Sequence, residues 1–184
     1  ADLVYTDRIN FEGAGDLVGL QSDLVKLWEG QVFGQLLSGN FITLSSVLVR
    51  RETFVRCGGF DSSPDLIGAE DWDLWLRMSG QGAVIALCRE PLTLYRRHGA
   101  GISRNLPQMH TAIMEVLRRA FVLGGATLTG PQRRHAMARA FAVLGWIADG
   151  VGVSSLKYWF RVVFFEPASL GNWKQLLKSC MRRR

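Results

Sequence analysis

In the stretch GAEDWDLWLR, Gly68 to Arg77, two carboxylates, Glu70 and Asp71, stand side by side at the head of a segment carrying Trp72, Leu74, Trp75 and Leu76. A carboxylate held beside a hydroxyl can take its proton as the oxygen attacks, which is general-base chemistry. Acids in a first helical turn also complement the partial positive charge of the unpaired N–H groups there, so the pair reads equally as helix-terminal charge. As the two acids of a glycosidase it reads poorly, because neighbours in sequence cannot flank a scissile bond from opposite sides. Trp72 and Trp75 read as core, and Asp73 and Arg77, spaced i, i+4, as a surface ion pair. His98 follows Arg96 and Arg97 in LYRRHGAGIS, whereas His110 and His135 fall on helical patterns and read as structural. Cys57, Cys88 and Cys180 are far apart without a C-x-x-C pair, which supports neither a disulfide framework nor a zinc site and fits a reducing compartment.

The elements that must position these groups change in kind along the chain. ADLVYTD reads as a strand turned by FEGAGD. Leu24, Leu27, Trp28, Phe33, Leu36 and Leu37 recur at helical spacing and end at SGN, where Gly39 suits a C-terminal stop. FITLSSVLV is β-rich, RRETFVRCGG a short helix stopped by Gly58 and Gly59, and GAVIALC and PLTLYRRH two further strands. Strands alternating with helices predict an α/β layer over residues 1–104. From Asn105 onward four helices follow without strands, the second with Pro131 suited to its first turn, so residues 105–184 form an all-α extension.

The net charge of +6 is split unevenly. Residues 1–104 hold 10 Lys/Arg against 13 Asp/Glu, and residues 105–184 hold 12 against 3. The basic extension, with the aromatic run YWFRVVFF, suits an acidic membrane face; a solvated basic face is the plain alternative. Nucleic acid is disfavoured because the aromatics cluster on apolar helical faces and do not alternate with basic residues as a stacking groove requires. The most apolar stretches, Ala140–Ala148 and Val162–Phe165, fall short of the roughly 20 residues that span a bilayer.

Three motifs in order, GNFITLSSVLVRRETFVRCGGFD, GAEDWDLWLR and YRRHGAGIS, resemble the nucleotide-sugar-dependent glycosyltransferases of family 2, which have the GT-A fold. The resemblance covers residues 1 to about 105. It implies a Rossmann-like mixed sheet, part of a GT-A domain, and transfer of a sugar from a nucleotide-diphosphate donor to an acceptor hydroxyl, with inversion, in polysaccharide or glycan assembly. By that resemblance Asp71 is the general base, Glu70 its orienting neighbour, Gly39 the glycine of the loop approaching the donor, and Gly58 and Gly59 the turn shaping the acceptor site. An ordinary helix stop explains Gly39 as well, and plain turn geometry explains the other two. His98 corresponds to a histidine that joins a divalent metal, Mn²⁺ or Mg²⁺, at the donor diphosphate; a diphosphate contact, like that expected of Arg97, is the alternative. The helix N-terminus at Asp71 is expected to favour its ionised form.

The family's Asp-x-Asp and its nucleotide-binding half precede the segment that ADLVYTD resembles, and Asp2 and Asp7 flank the following strand. The expectation is therefore an acceptor-side piece of a larger enzyme, inactive alone, working in the cytoplasm at the inner membrane face on a glycan or lipid-linked acceptor. The rival from another class is a non-catalytic helical module that docks on a membrane or a partner.

Overall fold

The computed structural model describes residues 1–13, 15–97 and 101–181. It has an α/β part followed by a helical region. Strand β1 (Leu3–Glu12) is the centre of a mixed four-stranded sheet, with β2 (Asp16–Leu20) and β3 (Val47–Val49) antiparallel to it and β4 (Ile85–Arg96) parallel. Because β4 follows β1 from Leu3 to Phe11, β2 and β3 share the opposite edge, β3 at Leu3–Tyr5 and β2 at Ile9–Glu12. Alternation along β1 sends Leu3, Tyr5 and Asp7 into the interior. Helices α1 (Phe33–Leu37), α2 (Arg51–Arg56) and α3 (Glu70–Gly80) complete this part.

Three sequence expectations are corrected here. The helical spacing over residues 24–37 yields a helix only at Phe33–Leu37. The Tyr5 hydroxyl donates to the Trp28 carbonyl at 2.8 Å and accepts from its N–H at 2.9 Å, and Gly30 pairs with Ile85, so tertiary bonds claim the backbone a helix would need. In FITLSSVLV only Val47–Val49 is strand, after a 3₁₀ turn at Leu44–Ser46. GAVIALC and PLTLYRRH are one strand: the β1–β4 register slips between Thr6↔Cys88 and Asp7↔Pro91, a bulge that accommodates a proline with no N–H to offer.

The chain divides into two compact units, Ala1–Ser63 with Glu70–Gly101, and Pro64–Ala69 with Ile102–Arg184. The sequence pattern changes near residue 105, whereas the contacts divide at Gly101/Ile102 and assign Pro64–Ala69 to the helical unit. That unit is built from α4 (Leu106–Gly124), α5 (Gly130–Gly150), α6 (Leu156–Phe165) and α7 (Leu170–Met181). The Asn105 side chain caps α4, and Thr129 with Gln132 forms a capping box on α5. Leu66, Ala112, Val116, Leu117, Leu144 and Trp159 fill its interior. Gly145 lets α6 approach α5, since a Cβ there would lie 2.9 Å from the Trp159 ring. Within 64–69, Leu66 is fully buried and the carbonyls of Pro64 and Ile67 accept from Gln108 Nε2.

Candidate functional site around Asp71

Helix α3 starts at Glu70 and buries Trp72, Leu74, Trp75, Leu76 and Met78, so its first turn is fixed by the packing behind it. The Trp72 indole N–H donates to the Leu36 carbonyl at 2.8 Å, tying α3 to the end of α1. The next residues past that end are Gly39 and Asn40. Gly39 N–H donates to the Leu36 carbonyl, and its φ of +148° is one that L residues rarely adopt, although no atom lies within 4 Å of where a Cβ would stand. Gly39 is thus a helix stop demanded by backbone conformation, with open space above it.

The turn delivers Asn40 to Asp71. Asn40 Oδ1 accepts from the Ile42 N–H, which orients its amide so that Nδ2 donates to Asp71 Oδ2 at 3.2 Å. Asp71 Oδ1 accepts from the Trp72 N–H at 2.7 Å. Glu70 and Asp71 are both half-buried. Burial pushes the Asp71 carboxyl up to about 6, and the Glu70 charge adds to this, while the bonds from Trp72 and Asn40 work against it. The N–H at the helix end does favour the ionised form, as expected, but desolvation outweighs it, so the carboxyl is raised overall. At neutral pH such a group is still ionised in roughly nine molecules of ten and is more basic than an ordinary aspartate.

Asp73 and Arg77 do form the expected i, i+4 pair, Nε to Oδ2 at 2.8 Å, but not on the surface, since Asp73 is 2% exposed. The rest of the guanidinium reaches across to the Gly58–Gly59 turn: Nη1 donates to the Cys57 carbonyl and Nη2 to the Gly59 carbonyl at 2.8 Å. Both glycines have positive φ, +81° and +62°, and Gly59 lies against the Phe54 ring. Arg77 thus holds the turn after α2 to the helix that carries Asp71, a role that the i, i+4 spacing did not reveal.

The structure brings Asn40, the residue after Gly39, to Asp71, and links Gly58 and Gly59 to α3 through Arg77. Arg97 lies elsewhere, at the end of β4, where its N–H donates to the Phe11 carbonyl and its side chain pairs with Glu12 at 3.5 Å. His98 lies outside the described residues. Among the described residues no three His, Cys, Asp or Glu side chains gather as a metal site would. Asp71 is itself held by two N–H donors in surroundings that disfavour its charge, so these residues do not make a metal cradle. Sequence reasoning missed Asn40. Its signal was a short amide directly after a helix-stopping glycine.

Asp2 and Asp7 are structural. Asp2 accepts from the Val84 N–H and the Thr53 hydroxyl, which hold its carboxyl below the usual range. Asp7, 3% exposed, accepts from the Ser22 hydroxyl and N–H. Comparison with protein-family models, curated proteins and solved structures returned no match to this chain.

Proposed function

We propose that the chain is the acceptor-side part of an inverting, nucleotide-sugar-dependent glycosyltransferase of the family 2 kind, with Asp71 as general base. The observation that carries this reading is Asp71 itself, a half-buried carboxylate with its basicity raised, oriented by Asn40 and mounted on a helix locked by buried tryptophans. An acceptor hydroxyl, on a glycan or a lipid-linked sugar, gives its proton to Asp71 as its oxygen attacks the anomeric carbon and the nucleoside diphosphate leaves on the far side. Glu70 raises the basicity of Asp71 and orients the acceptor, Gly39 leaves open the space beside them, and the Gly58–Gly59 turn borders the acceptor. By the resemblance Arg97 and His98 are the residues that would contact the donor diphosphate, and the described residues around Asp71 make no site for a divalent ion. The setting that goes with this reading is the cytoplasm, at the inner face of the membrane.

In the enzyme that contains the nucleotide-binding half, Asp71→Asn keeps the shape and removes the base. Transfer then slows by at least ~10²-fold, and the wild-type rate rises with pH through about 6. Near-normal turnover in a folded Asp71→Asn enzyme would return the two acids to the role of helix-terminal charges.

One observation favours the second reading, a membrane-docking module. On α7 the exposed side carries Leu170, Trp173, Leu177 and Met181 beside Lys174 and Lys178, while Asn172, Gln175 and Ser179 lie on the covered side with Leu176. In α6, by contrast, Tyr158 and Trp159 are buried, so of the aromatics in YWFRVVFF only Phe160 and Phe164 are exposed. No helix among the described residues is long and apolar enough to cross a membrane, so α7 would lie along the surface of anionic lipid. Sedimentation with anionic vesicles, falling as salt rises, tests this; failure to sediment at low salt ends it.

A further inference from the structure

A cleft of about 680 Å³ opens in the helical unit between the start of α4 and α6. Its walls hold Arg104, Lys157, Arg161 and His110, with Tyr158 and Val153 as apolar surface, and no carboxylate lines it. The acids of α4, α5 and the segment after α6 are engaged elsewhere: Glu115 with Arg118 and Arg119 at 2.7 Å, Asp149 with the Ser155 hydroxyl at 2.7 Å, and Glu166 with His135 at 2.5 Å. Arg104, Lys157 and Arg161 have no ion-pair partner among the described residues; Lys157 lies over the Tyr158 ring and Arg161 over Phe141, each at 4.9 Å.

Three like charges on one cleft repel each other, and a bound anion relieves this in proportion to its charge, so a dianion gains more than a carboxylate does. Two guanidinium forks and an ammonium match the several oxygens of a phosphate. The cleft also opens onto the positive end of a 19-residue helix, since Asn105, the cap of α4, is among its walls. We propose that this cleft binds a phosphate group, supplied by a soluble phosphorylated compound or by a phospholipid headgroup. The inference stands on the helical unit alone and does not depend on sugar transfer.

His110 reports on occupancy. Burial, and after it the charges of Arg161 and Lys157, hold its imidazole below the usual histidine range. The charged or titratable groups facing it are Arg104 from the turn before α4 and Lys157, Tyr158 and Arg161 from α6. An anion among them reverses the electrostatic part of this effect.

The test is an NMR pH titration of His110 in the whole chain, with His135 as internal reference, without and with inorganic pyrophosphate, and with acetate at equal ionic strength as control. Pyrophosphate should raise the His110 midpoint by at least about half a pH unit in a saturable way and leave His135 unmoved. Lys157→Gln with Arg161→Gln, both exposed positions, should weaken that response at least ~10-fold with the circular dichroism unchanged. In the second arm the chain is sedimented with phosphatidylcholine vesicles containing phosphatidic acid. A pyrophosphate response assigns a soluble source; vesicle binding that needs Lys157 and Arg161 without a pyrophosphate response assigns a headgroup. An equal shift with acetate, or no variant-sensitive response in either arm, overturns the proposal.

Discussion

Helices α3 and α7 are 11 and 12 residues long, and both are amphipathic, yet they face opposite ways. In α3 the tryptophans and leucines are inside, and the one charge taken in with them, Asp73, is met by Arg77. In α7 Leu170 is 78% and Met181 69% exposed, while Ser179 is covered and lies 2.8 Å from the Ser155 hydroxyl. A helix with its apolar stripe inward is held by the hydrophobic effect and can serve as a rigid mount. One with its stripe outward draws little stability from that face and keeps it for a partner. The molecule thus holds one helix whose apolar stripe is buried and one whose apolar stripe is open.

The comparison can be broken most directly by truncating each stripe. Trp75→Ala in α3 should lower unfolding stability by about 3–5 kcal/mol, measured in urea, because it empties a fully buried site. A smaller loss, about 2–3 kcal/mol, is expected for Arg77→Gln, which removes the guanidinium from Asp73 and from the carbonyls of Cys57 and Gly59. Asp71→Asn should act in the opposite direction and depend on pH. A carboxyl raised from 3.8 to about 6 makes the folded state bind more protons than the unfolded state between those values, so wild-type stability falls as pH rises through that window. Asn removes this cost. After allowance for partial exposure, the variant should gain about 1–2 kcal/mol at pH 8 and nothing below pH 3.8, as pH-dependent urea melts would reveal. Smallest of all is Leu177→Ser on the outward stripe, expected within about 0.5 kcal/mol of wild type in the same melts while vesicle sedimentation weakens. A loss at Leu177 as large as that at Trp75 would mean that α7 is packed like α3, and the contrast would dissolve.

The limits of the sequence are visible in the same elements. The strand at ADLVYTD, Pro131 in the first turn of α5 and the four-helix run of the tail were legible because each rests on local chemistry. What could not be read depends on partners distant in sequence. Nothing within residues 24–37 announces that the Tyr5 hydroxyl will hold both backbone groups of Trp28. Pro91 suggested two strands because a bulge is a property of the β1–β4 pair, not of β4 alone. The i, i+4 spacing of Asp73 and Arg77 is the same on a wet or a dry face. Only burial separates them, and the hydrophobic pattern of α7 likewise does not say which side will be covered. At Asp71 the helix position was legible but its electrostatic consequence was not, because desolvation depends on everything packed around the group.

The assignment of Pro64–Ala69 to the helical unit carries a consequence for how such a protein can change. Leu66 is fully buried there, and a Cβ on Gly68 would press on Met109, so the segment on the amino-terminal side of the acids packs with the tail through Leu66 and Gly68. The tail is therefore not a cassette that a recombination event near residue 102 could exchange freely. A replacement tail must bring a matching socket for Leu66, or the stretch that enters Glu70 and Asp71 loses its mooring. A smaller side chain at Met109 should accordingly ease the loss caused by Gly68→Ala in a library screen, linking positions that lie on either side of α3 in sequence.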